Sequence, residues 1–344
     1  MIKTELSLIH WHIEVSSICT LKCPRCTRAE VPETLLNNQL TLQFFKEQIG
    51  EDTIKTIQKI TFCGDDGDPI YAKEFLLICG WIKIINPTIH LVIVTNGSYK
   101  KKLWWMDLSR ILNEYDEIQW SIDGWDQASN EQYRVNCDWD SILLGLHTFR
   151  TFNSKTYTTL ATIIFKFNED YLEYIRQLAM AYKIDQWQLT RSTKFGSVYP
   201  DTYGLFDPLE PRPENVADGH RFDRSYVNFT LRLPPSDELK ETFFKKANEL
   251  IHNGGQPALC YVGTKGLYLK ANGVLYPCCW TANRYDHNKD IIAVAESRFN
   301  LNNRTLVEIL KDEYWSTDFL KFDNLECRTK CTSANFTKEF VTEW

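Results

Sequence analysis

The sequence lacks a basic excess, a long hydrophobic run and a secretory start, and each absence removes a class of protein. Lysine and arginine number 39 against 45 acidic residues, for a net charge of −6. A duplex-binding protein usually carries a basic stripe, so extensive contact with DNA or RNA is disfavoured. No run of about 18 apolar residues occurs, and no membrane span is expected. The opening MIKTELSLIHWHIEV has no continuous apolar core and no cleavage site, so it does not read as a signal peptide. Internal repeats and low-complexity tracts are also missing. What is there is a 344-residue chain, 43% hydrophobic, 24% charged and 13% aromatic. That composition supports a sizeable core and suits one large domain, or a large and a small one. The expected compartment is the cytoplasm, where 11 cysteines serve as metal ligands or core thiols rather than disulfides.

Residues 9 to 191 alternate between two kinds of segment. Short β-rich runs fall at 9–16, 57–63, 90–95, 117–123, 157–166 and 186–191, with helix-compatible stretches at 41–49, 72–85, 103–115, 138–152 and 168–181. Strands alternating with helices predict an α/β fold built on a parallel sheet, either open or barrel-like. The stretch 198–235 is rich in proline and poor in periodic apolar positions, so it reads as an excursion or linker. A helix is expected over 236–252, capped by Ser236 or Asp237. The chain thus divides into a barrel at 1–197, a connection at 198–254 and a cysteine-rich module at 255–344.

Just after the first strand stands Cys19-Thr-Leu-Lys-Cys23-Pro-Arg-Cys26. Three thiolates cannot close a tetrahedral zinc site, which needs four ligands. Three can hold a 4Fe–4S cluster and leave one iron open. A zinc site completed by a residue from elsewhere is the alternative.

At this point the sequence resembles the radical S-adenosylmethionine (SAM) superfamily, over most of its length. After strand two, CGDDGDPI (Cys63 to Ile70) stands where that family has its GGEP element. Thr95-Asn96-Gly97 is similar to the TNG turn after strand three. Ser121-Ile122-Asp123-Gly124 is similar to the SIDG element, and Arg134 and Asn168 match recurrent positions. Two departures stand out. Arg25 replaces the usual aromatic residue before the third cysteine, and Asp66 and Asp68 replace the Gly and Glu of GGEP. The resemblance implies a partial (β/α)6 TIM-like barrel with its site at the strand C-terminal ends, as α/β folds generally have. It implies that Cys19, Cys23 and Cys26 hold the SAM-binding 4Fe–4S cluster. Gly64, Gly67, Asp68, Asn96, Ser121, Asp123, Arg134 and Gln188 are then the expected SAM contacts.

A second constellation comprises Cys260, Cys278, Cys327 and Cys331. The segment CYVGTKGLYLKANGVLYPC resembles the opening of the SPASM and shorter twitch extensions of radical SAM enzymes. GLYLK and GVLYP flanking Ala271-Asn272-Gly273 read as a β-hairpin. Five cysteines lie here, short of the seven or so that a full SPASM module needs, so one auxiliary 4Fe–4S cluster is expected. A zinc site on the same four thiolates is the alternative. Cys279, next to Cys278 on a strand, points the other way and is expected to be a spectator. Cys63, Cys79 and Cys137 read as ordinary semi-buried thiols.

Strand alternation also sorts the faces. Trp11, Ile13 and Val15 should meet the helices, leaving His12 and Glu14 on the lumen side with Gln119, Ser121, Gln188 and Thr190. Such polar groups suit a polar ligand. His12 and Glu14, two apart on one face, are the expected proton-accepting pair.

The expected activity is reductive cleavage of SAM to a 5′-deoxyadenosyl radical that takes a hydrogen atom from a polar small molecule, with net oxidation. The resemblance implies an external one-electron reductant such as flavodoxin or ferredoxin. Only 18 residues precede Cys19, which favours a small substrate over a peptide. The alternatives are a peptide-modifying enzyme, a nucleotide- or nucleic-acid-modifying enzyme, and a non-catalytic iron–sulfur or zinc protein.

Overall fold

A computed structural model describes residues 9–30, 32, 35, 37–191, 195, 207–216, 224–229 and 267–319. All six β-rich runs contain a strand: β1 His10–Ile13, β2 Lys59–Phe62, β3 His90–Thr95, β4 Glu117–Ser121, β5 Tyr157–Ile163 and β6 Gln186–Thr190. They are parallel and lie side by side in chain order. Helices α1 Thr27–Glu30, α2 Leu42–Phe44, α3 Glu51–Thr56, α4 Phe75–Ile85, α5 Lys102–Ile111, α6 Gln127–Asn130, α7 Trp139–Phe152 and α8 Leu172–Ala181 occupy the crossovers. The result is a mixed α/β fold of the partial TIM-like kind, dominated by a parallel sheet.

The register explains why this arrangement holds. Ile13, Phe62, Ile93 and Ile118 form one cross-strand row, and all four are fully buried. Phe75 of α4 meets Phe62 edge-on at 5.2 Å. Trp105 of α5 lies 6.0 Å from Trp120, which in turn sits 5.6 Å from Phe149 of α7. Each such side chain taken from water contributes roughly 1.5–3 kcal/mol. The other face carries the rows His12–Thr61–Val92–Glu117, Gln119–Thr159–Gln186 and Ser121–Ala161–Gln188. The expected split of apolar and polar faces is therefore the observed one.

Several boundaries differ from the sequence expectation. The stretch 41–49 is not one α-helix: α2 passes into a π-turn over Phe45–Ile49, Gly50 breaks it, and α3 follows. The wide turn lets both Phe45 and Ile49 be buried. At the end of α5, Asp116 accepts the amide of Asn113 at 2.8 Å, so a turn replaces the expected continuation to 115. The helix expected from 168 starts only at Leu172, because the Asn168 side chain closes a turn onto the Phe165 amide.

The sheet is also wider than six strands. Within the stretch read as a linker, β7 Arg224–Asn228 pairs antiparallel with β6. At the other edge the expected hairpin forms from β8 Tyr268–Leu269 and β9 Leu275–Tyr276. Gly273, at φ +84°, supplies the left-handed residue that its turn requires. β8 does not stand apart: it pairs parallel with β1. That pairing satisfies an edge which would otherwise expose open amides and carbonyls. The helix expected over 236–252, with Cys260, Cys327 and Cys331, lies outside the described residues. Among the described residues, no helix is long and apolar enough to cross a membrane.

Candidate active site at the carboxyl ends of the strands

The cysteine loop follows β1 and is pinned by its neighbours. Ser17 exchanges hydrogen bonds with the Asn38 backbone. Arg28 donates from one nitrogen to the carbonyls of Ser17 and Asp66, both at 2.6 Å, tying this loop to the next. The Cys19 thiol accepts from the Leu21 amide at 3.4 Å and from Asn96 Nδ2 at 3.7 Å. Cys26 Sγ stands 3.9 Å from the Asp65 carbonyl. Arg134 stands near enough to Cys23 for its positive charge to favour the thiolate. Burial pushes the Cys19 thiol up to about 12, helped by Asp68 and by the other two cysteines. Burial likewise raises Cys23 to about 11, against the pull of Arg134.

The glycine-rich loop after β2 presses against the strand beside it. A Cβ on Gly67 would lie 1.9 Å from the Ser16 carbonyl oxygen, so only glycine fits there. Glu14 Oε1 accepts from the amides of Asp66 and Gly67 at 2.7 and 3.1 Å. The Asp66 carboxylate pairs with Lys270 at 2.9 Å and with Arg284 at 3.0 Å. Burial raises Glu14 to about 7, opposed by Lys270 and supported by Asp66.

Several expected SAM contacts turn out to brace the loops. Asp68 accepts from Thr95 Oγ1 at 2.9 Å, the Asn96 amide at 2.7 Å, Asn96 Nδ2 at 2.5 Å and the Ile70 amide at 3.1 Å. Its carboxylate locks the turn after β3 to the loop after β2. Asp123, fully buried, accepts from Arg134 Nε at 2.6 Å and from the Ile163 amide at 2.7 Å. Asn168 reaches the carbonyls of Asp123 and Ile163. Gly64 lies directly under Glu14. Ser121 and Gln188 share one row of the polar face, with Ala161 between them. His12 Nε2 is 3.0 Å from the Cys63 carbonyl, and its ring meets Tyr268 edge-on at 4.8 Å.

The fold is similar to that of SuiB from Streptococcus suis. The superposition has a TM-score of 0.57 at 13% identity and covers 92% of this chain and 69% of that one. SuiB is also solved bound to S-adenosylmethionine, with a TM-score of 0.56 at 15% identity over 98% of this chain and 70% of that one. With the precursor peptide SuiA bound, the TM-score is 0.56 at 13% identity, over 92% and 68%. anSMEcpe with bound AdoMet and Cp18Cys peptide has a TM-score of 0.51 at 14% identity, over 94% of this chain and 88% of that one. At such identities the likeness concerns the fold. No protein-family model matches the chain, and no curated protein matches it.

The donor set fits an iron–sulfur cluster better than a single ion. Three thiols stand close enough to act on one another electrostatically. Yet among the described residues no three metal-binding side chains converge on one point. Thiolates of a cubane each grip a different iron and need no common point. The positive charge of such a group is what would favour thiolates in this buried setting.

Sequence reading missed the roles of four residues here. Arg25 occupies the expected aromatic position, yet its guanidinium lies 5.4 Å from the Phe195 ring centroid and pairs with Asp207 and Glu30. Its substitution for an aromatic was the only local signal. Arg28 and Arg284 belong to no motif and Lys270 reads only as part of the hairpin, so only the fold brings them in.

Proposed function

We propose that this protein is a radical SAM enzyme. The observation that carries the reading is that the loop of Cys19, Cys23 and Cys26 meets Asn96 and the glycine-rich loop at the carboxyl ends of β1, β2 and β3, Cys19 through Asn96 and Cys26 through the Asp65 carbonyl. Cys19, Cys23 and Cys26 hold a 4Fe–4S cluster, and Gly64, Gly67 and Asn96 line the side that receives SAM, with Ser121, Arg134 and Gln188 further along. When bound, the cluster and SAM supply a one-electron cleavage to methionine and a 5′-deoxyadenosyl radical able to take a hydrogen atom from a substrate. The chain's own residues position and shield. Asp68 and Asp123 fix the loops so that the donors are preorganised. Arg134 places a cation beside Cys23 and offsets negative charge at the thiolates. Glu14 and His12 lie on the same side as the glycine-rich loop and supply proton-accepting groups.

The substrate is a polar small molecule, a reading supported by the polar inner rows of the sheet. Cys278 with Cys260, Cys327 and Cys331 forms an auxiliary 4Fe–4S site in a SPASM- or twitch-type module at 255–344. Such a cluster, closed by four thiolates, would supply an electron acceptor, in keeping with a net oxidation of the substrate. The first electron comes from an external carrier such as flavodoxin or ferredoxin, in the cytoplasm. A second reading, a peptide substrate, is favoured by SuiB and anSMEcpe both having been solved with peptides bound.

Anaerobic reconstitution followed by assay for 5′-deoxyadenosine tests the proposal. Production of 5′-deoxyadenosine that depends on a reductant and on Cys19, Cys23 and Cys26 is the expected result. Stoichiometric zinc in place of iron, with no SAM cleavage, overturns it.

A further inference from the structure

The glycine-rich loop carries an aspartate where the resembled family has its first GGEP glycine, and that aspartate is held by the far end of the chain. Asp66 and Lys270 are both more than nine-tenths buried. Lys270 Nζ is 2.9 Å from Asp66 Oδ2, and Arg284 Nη2 is 3.0 Å from Oδ1, so each carboxylate oxygen has its own cation. The main chain of Asp66 is gripped too, its amide by Glu14 and its carbonyl by Arg28. Lys270 reaches this spot because β8 is paired with β1: the Glu14 amide donates to the Leu269 carbonyl at 2.8 Å. A buried ion pair of this kind adds little net stability, because desolvation offsets the attraction, but it selects one geometry over its alternatives. A glycine at this position could not be clamped in this way.

We propose that Lys270 and Arg284 are positioning residues that clamp Asp66 and hold loop 63–68 in the shape that receives SAM. Docking of the hairpin on β1 then becomes a condition for tight SAM binding, which couples the chain's C-terminal part to the site on its N-terminal strands. This rests on the radical SAM reading for the identity of the ligand, whereas the clamp itself rests on geometry alone.

The test uses the full chain, reconstituted anaerobically, as wild type, Lys270→Met, Lys270→Arg and the double variant Asp66→Gly/Lys270→Met. In Lys270→Met the KM for SAM should rise about tenfold while kcat falls less than about threefold, at unchanged iron content. Lys270→Arg should recover most of the affinity. The double variant, which removes both ends of the Asp66–Lys270 pair, should lose no more than the single one. Hydrogen exchange of the Asp66 and Gly67 amides, measured without SAM, should be about tenfold faster in Lys270→Met. Unchanged exchange overturns the clamp. Faster exchange with unchanged KM overturns its positioning role. A wild type that binds no SAM overturns the ligand assignment together with the radical SAM reading, and exchange still decides whether the clamp exists.

Discussion

Gly67 and Glu14 show how single residues govern the site. Because a Cβ on Gly67 would fall 1.9 Å from a backbone oxygen, no side-chain rotation relieves Gly67→Ala. The loop must move, and SAM affinity should drop by about a hundredfold with the far-ultraviolet circular dichroism unchanged. Near-native affinity in Gly67→Ala would refute the close approach. Glu14 is buried and titrates near 7 in the fold rather than at its ordinary 4.5. The folded state therefore binds its proton more tightly than the unfolded chain. Its contribution is complete at pH values below the unfolded pKa and is lost as pH rises through about 7. Relative to Glu14→Gln, the wild type should lose roughly 2 kcal/mol between pH 5 and 8 in urea unfolding of cluster-free protein. Parallel stability profiles for the two proteins would contradict the shift.

At the scale of elements, α7 offers a glycine, Gly145, where the Trp105 ring of α5 packs against it. A Cβ on Gly145 would lie 2.7 Å from the ring of Trp105, itself fully buried and unable to swing away. Gly145→Ala gains about 1 kcal/mol in helix propensity. Overpacking costs about 1–3 kcal/mol, so the clash wins. The variant should unfold at lower temperature than the wild type, and a rise in Tm would show that α7 can shift freely. The β1–β8 pairing is the other consequential element contact. It closes an open edge of the parallel sheet and carries Lys270 to the glycine-rich loop.

Across the whole molecule, the proposed reading makes a count. Three plus four cysteine ligands suit two 4Fe–4S units, so reconstituted protein should hold about eight irons per chain. Replacing Cys19, Cys23 and Cys26 by alanine should leave about four and abolish 5′-deoxyadenosine formation. Full iron in that triple variant would remove the first cluster from the cysteine loop. About four irons in the wild type would remove the auxiliary one.

The sequence by itself determined the six parallel strands and which face of each is apolar. Those features are local: alternation along each run is a property of neighbouring residues, and the parallel sense follows from the helical crossovers between the runs. The spacing of Cys19, Cys23 and Cys26 after β1 was legible for the same reason. Only the tertiary structure decided what the acidic residues do. Asp68 and Asp123 look like ligand contacts within their motifs, and the fold adds that each also accepts from the next loop, Asp68 from the Asn96 amide and Asp123 from the Ile163 amide. The partners of Asp66 lie in the C-terminal part of the chain, and no pattern around Lys270 or Arg284 announces them. Long-range pairing of this kind is set by where a strand finds a free edge. The free edge of β1 exists only once the six-stranded sheet has formed.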